Sequence, residues 1–190
     1  TVSKETGITD TQAAIKASNT AGSNVAIVRY RNKAGITAEA LQAMASTGKT
    51  SNKTVQINAD TVSNNVVVGR VTINPALASK LTADTKFGLH TDDKSAVAVK
   101  THFQKWFSNN MVFASFDHKG SFGMNVNVAL KVDLKGLNTN NLYFYTYNAS
   151  TNKYARITNT NTWIDSNGYL RFTTTYGDEL VVSDGPLTSR

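Results

Sequence analysis

The sequence predicts an all-β fold, an antiparallel β-sandwich with one or two short helices in its N-terminal half. Three observations carry this. The segment GMNVNVALKVDL alternates Met124, Val126, Val128, Leu130, Val132 and Leu134 with mostly polar residues, the period-two pattern of a strand with one face buried and one in water. Roughly ten short β-rich runs are separated by turn signals about 8–12 residues apart, as in sandwich folds. The composition is 40% hydrophobic but only 17% charged, and the Asn, Thr and Ser that fill the gap favour turns and strand surfaces over helix interiors.

The elements follow in order. Residues 1–23 are polar and rich in Ala, Thr, Ser and Gly, and read as a leading arm or linker, partly helical around Thr11 to Ala17. Residues 24–190 read as a single sandwich module. VAIVRYR (Val25 to Arg31) is a β-branched strand. ITAEALQAMASTGK is a short helix: Thr37 can cap it, Ile36 stands at the staple position, Leu41 and Met44 share a face, and Gly48 supplies the stop. TVQINAD and VVVGRVTIN are strands joined through Ser63-Asn64-Asn65. Pro75 suits the first turn of a brief helix running to Leu81. TKFGLHT and SAVAVKTHFQKWF read as strands about the turn at Asp92-Asp93-Lys94, followed by the strand MVFASFD and a Gly-bounded turn at GSFG. Beyond the alternating strand and Gly136 come LYFYTYN, a turn at Asn148 to Asn152, and the strand KYARI. Ser166-Asn167-Gly168 is a hairpin signal, and YLRFTT and ELVVSDGPL close the chain, with Pro186 ending the last strand.

Composition also narrows function. At 190 residues the chain can bury a sizeable core. With no cysteine there is neither a disulfide framework nor a thiolate metal site. No apolar run approaches the ~20 residues that cross a bilayer, so membrane insertion is not expected. The chain begins at Thr1 without Met, as a trimmed mature module would. The net charge of +7 is scattered over residues such as Lys49, Lys53, Lys94, Lys100, Lys105, Lys131 and Lys135. No basic run or nucleic-acid-binding signature accompanies it, and nucleic acid is not an expected partner.

Catalytic signatures are missing. His90, His102 and His118 show no metal-ligand spacing. Asp117 and His118 are neighbours, and neighbours on a strand point to opposite faces. GKTSNKT lacks the glycine a phosphate loop requires, and no GxSxG, HExxH or EF-hand loop occurs. A glycosidase would need two carboxylates facing across a sugar, which the scattered acids do not announce. Neither catalysis nor a cofactor is expected.

Carbohydrate binding needs less: an exposed aromatic face for the C–H side of a pyranose, and a few convergent polar groups. Tyr143, Tyr145 and Tyr147 share one side of their strand, opposite Leu142, Phe144 and Thr146. If Leu142 and Phe144 face the core, the tyrosines form a platform, which leaves fewer buried hydroxyls to satisfy. Otherwise the stripe is ordinary strand surface, covered by cross-strand neighbours such as Tyr154 and Arg156. Trp106 lies near Phe103 and Phe107, which favours a core role. Trp163 is set among polar loop residues, and Tyr176 precedes Gly177 in a turn.

The segments HFQKWFSNN, GSFGMNVNVALKVDL, LYFYTYNASTNKYARI and WIDSNGYLRFTTTYGDELVVSDGPL, from about Val99 to Leu187, resemble parts of secreted modular proteins of gut and rumen ruminococci. Such proteins carry dockerins or adhere to plant polysaccharide in cellulosome-like or starch-degrading amylosome-like assemblies. The resemblance implies an extracellular, non-catalytic, β-rich module at a bacterial surface, and it fixes no binding residues. The expected function is therefore binding of a polysaccharide or oligosaccharide, an α-glucan such as starch first and a plant cell-wall glucan next. Other modules of a surface complex are further expected partners. The alternative is a structural spacer or protein-interaction module with no glycan ligand.

Overall fold

Residues 8–31, 36, 38–73, 86–92, 94 and 96–190 are described by a computed structural model. In chain order the elements are α1 (Ile8–Ala21), β1 (Val25–Arg31), α2 (Ala38–Thr50), β2 (Thr54–Ser63), β3 (Val66–Ile73), β4 (Leu89–His90) and α3 (Val97–Trp106). Then follow β5 (Met111–Phe116), β6 (Ser121–Leu130), β7 (Tyr143–Asn148), β8 (Lys153–Ile157), β9 (Trp163–Ile164), β10 (Leu170–Tyr176) and β11 (Glu179–Ser183). The expected helix from Pro75 to Leu81 lies outside the described residues.

Two sheets result, in the orders β1-β2-β3-β6-β10-β9 and β4-β5-β11-β7-β8. The alternating segment forms β6, the middle of the larger sheet. Phe122, Met124, Val126, Val128 and Leu130 are buried, whereas Asn125 and Asn127 are exposed. Register carries this buried face across the sheet. Val128 lies opposite Val71 and Phe172, Ile73 opposite Ile57, and Val28 beside Ile57. The buried face of the smaller sheet supplies Ala114, Phe116, Phe144, Leu180 and Val182 to the same core.

The sandwich expected from sequence is present, with four local differences. First, β1 and β2 pair in parallel. Parallel neighbours need a crossover, and α2 supplies it, packing Leu41 and Met44 into the core. Gly48 marks the close approach, since a Cβ there would lie 2.7 Å from Val55 Cγ2 and 2.9 Å from the Lys53 carbonyl. Second, the segment read as an arm forms α1, and its Ile15 joins the main core. Third, GSFG is not a turn but the start of β6. Gly123 has φ +73°, and the pairing jumps from Thr174 with Val126 to Tyr176 with Ser121. A glycine at positive φ beside a register jump is a β-bulge. Fourth, SAVAVKTHFQKWF is helical over Val97–Trp106. Ala96, Val99 and Phe103 recur at helical spacing and are buried, while Val97 is 57% exposed. Packing of that stripe overrides the strand preference of the two valines.

Helix α3 makes the molecule three layers deep. It covers the outer face of the smaller sheet and builds a second core of Ala96, Val99, Phe103, Phe107, Tyr145, Tyr147 and Val181. Among the described residues no helix is long and apolar enough to cross a membrane.

Candidate functional site

The tyrosine strand takes the orientation in which Leu142 and Phe144 face the main core. Tyr143, Tyr145 and Tyr147 therefore point to the outer face, but α3 lies on it. Tyr145 and Tyr147 are buried, at 7% and 2% exposure. The Tyr147 hydroxyl donates to Asn152 Oδ1 at 2.7 Å, and its ring lies 4.9 Å from that of His102 and meets Phe103 edge-on at 5.2 Å. The Tyr145 hydroxyl accepts the Leu187 N–H at 3.3 Å. Burial pushes both phenols above their ordinary pKa. For Tyr147 the Glu179 carboxylate adds to this, and for Tyr145 the Leu187 N–H and Arg156 oppose it. Tyr143 is half-buried, with the Arg156 guanidinium 4.2 Å from its ring centre. The stripe is a covered wall, and the platform reading of Tyr145 and Tyr147 is corrected accordingly.

An open aromatic surface exists at the end of that wall. The helical turn that buries Phe103 and Phe107 carries Trp106 round to solvent, where it is 53% exposed. Its neighbours Phe103 and Phe107 occupy the core place that the sequence favoured for it. Across the Asn148–Asn152 turn, register sets Tyr154 opposite Tyr147. The Tyr154 ring meets Phe103 at 5.4 Å and Phe107 at 5.6 Å, both edge-to-face, and remains 44% exposed. A ring held on one side and open on the other is preset for stacking.

Trp106 and Tyr154 line one groove of about 650 Å³ together with His102, Lys105, Phe107, Ser189 and Arg190. The C-terminal segment frames it. Ser189 bridges Phe107, the Arg190 N–H donates to the Trp106 carbonyl at 3.0 Å, and Arg190 Nε donates to the Gln104 carbonyl at 2.8 Å. The Lys105 ammonium lies 5.2 Å from the Trp106 ring centre. Among the described residues no carboxylate side chain lines the groove.

The other nominated residues stand elsewhere. Trp163 is 58% exposed on edge strand β9 of the larger sheet, its ring 5.8 Å from the Arg171 guanidinium. Tyr176 is 44% exposed at the end of β10. Neither lines the groove. Tyr154 is the residue that sequence reasoning treated only as a cover. The hairpin turn between Tyr147 and Tyr154 was the signal that could have placed it, since it puts both on one face.

Asp117 pairs with His90 at 3.0 Å, and His118 Nε2 lies 2.8 Å from the Ser121 carbonyl. Glu179, at the start of β11, is buried, and its Oε1 accepts from Ser115 Oγ and Lys119 Nζ. Among the described residues no group of three His, Asp or Glu could hold a metal ion. No known family model matches the chain, and the search of curated proteins finds no significant match.

Proposed function

We propose that this chain is a non-catalytic carbohydrate-binding module of a bacterial extracellular complex, and that its glycan site is the groove between Trp106 and Tyr154. The supporting observation is two exposed rings lining one open groove, with Lys105, Ser189 and Arg190 beside them as hydrogen-bonding groups. Sugar rings stack their C–H faces on Trp106 and Tyr154, and their hydroxyls bond to the neighbouring side chains. The extracellular setting, and starch and a cell-wall glucan as the first polymers to test, rest on the sequence resemblance.

Affinity gel electrophoresis against starch and a soluble β-glucan, with a panel of plant polysaccharides alongside, tests this. Retention on at least one glycan is expected. Trp106→Ala and Tyr154→Ala each weaken it by about tenfold or more, equivalent to ~1.4 kcal/mol. Trp163→Ala, away from the groove, leaves it unchanged. Equal retention of the wild type and both groove variants removes the site. Absence of retention on every glycan favours the spacer reading, which the burial of Tyr145 and Tyr147 beneath α3 supports.

A further inference from the structure

We infer that the ligand of the groove is an acidic glycan, a chain bearing uronate carboxylates, rather than a neutral glucan; this rests on the glycan reading of the same groove. The cations are built into its walls. Lys105 and Arg190 line it with His102, and among the described residues no carboxylate side chain does. On strand β8 the exposed Arg156 shares the face of Tyr154, its guanidinium 4.2 Å from the Tyr143 ring centre, while Lys153 lies on the opposite face.

Four carboxylates elsewhere among the described residues have basic partners. Asp60 pairs with Arg70, Asp117 with His90, Asp165 with Arg171 and Glu179 with Lys119. By contrast, Lys105, Lys153, Arg156 and Arg190 form no ion pair with a described carboxylate side chain. Arg190 is also held in place, because its Nε donates to the Gln104 carbonyl. A positioned guanidinium matches a planar carboxylate with little further ordering.

A uronate carries its carboxylate at the rim of the sugar ring. When the apolar face stacks on an aromatic ring, that charge points sideways, toward whatever borders the ring. Here that border is cationic beside Trp106, where Lys105 and Arg190 line the groove. Exposed ion pairs are individually weak and screened by salt. Charge in this groove therefore selects among sugars, and the rings supply the hold.

The test is affinity electrophoresis at physiological salt against polygalacturonate, its carboxyl-reduced neutral counterpart, starch, and polyglutamate as a sugar-free polyanion. Retention by polygalacturonate at least about tenfold stronger than by the reduced polymer is expected. Lys105→Gln and Arg190→Gln remove most of that difference, Trp106→Ala weakens the retention itself, and Lys49→Gln, a charge control on α2, does neither. Equal or stronger retention by starch or the reduced polymer overturns the acidic ligand and leaves the glycan reading standing. Equal retention by polyglutamate that survives Trp106→Ala makes the contact one of charge alone and overturns both. No retention by any polymer overturns both as well.

Discussion

Tyr147 shows how a residue that resembles a binding group becomes a structural one. Its ring is enclosed by His102 and Phe103, and its hydroxyl reaches Asn152, which holds a left-handed φ of 56° in the turn after β7. Burial first, and then the nearby Glu179 carboxylate, raise its pKa; burial also raises that of Tyr145. A phenol whose folded pKa exceeds its unfolded value stabilises the fold below the unfolded value of about 10, and that contribution is lost as pH rises through the folded one. The difference in phenolate absorbance between the wild type and the Tyr145→Phe/Tyr147→Phe double variant is therefore expected to develop only above about pH 10. A midpoint below that value would mean the rings are open to water. Alternation made the shared side of the three tyrosines legible. It carried no information about the third layer, because a strand pattern describes two faces and not what lies on them.

Helix α3 and the β9–β10 hairpin mark the two limits of legibility at the level of elements. AVAVKTHF satisfies both periods, with Val97 and Val99 spaced as on a strand and Ala96, Val99 and Phe103 spaced as on a helix. Only the partner surface decides between them. The hairpin was readable because its turn chemistry is local. Asp165 Oδ1 accepts the N–H groups of Asn167 and Tyr169, both at 2.9 Å, its Oδ2 accepts Arg171 Nε at 2.8 Å, and Gly168 takes φ +82°. The Arg171 hydrogen bond, helped by the two N–H groups, holds the Asp165 carboxyl below its ordinary pKa despite partial desolvation. A depressed folded pKa stabilises the protein above the unfolded value of about 3.9, and the contribution fades as pH falls through the folded one. In urea titrations stepped downward from pH 5, the stability gap between the wild type and Asp165→Asn should narrow as acidity increases. A constant gap would leave the carboxylate out of the turn's stability.

For the whole molecule, the sandwich and most of its strands were written in local pattern, whereas the parallel β1–β2 pair and the second core depend on contacts between distant segments. Phe103 joins those segments. It is fully buried and meets the rings of Phe107, Phe113, Tyr147 and Tyr154. Phe103→Ala should cost about 3–5 kcal/mol, the range for a buried phenylalanine, measured by chemical denaturation. A loss within ~0.5 kcal/mol, as at an ordinary surface position, would mean that α3 is not anchored there. The order of strands has a further consequence for how the protein is made. β11 pairs with β5 on one side and β7 on the other, yet follows both in the chain. During synthesis, two hydrogen-bonding edges must wait on the ribosome-bound chain until Glu179–Ser183 emerges, so the smaller sheet is sewn shut by its last stitch and the wall behind the groove is finished only then.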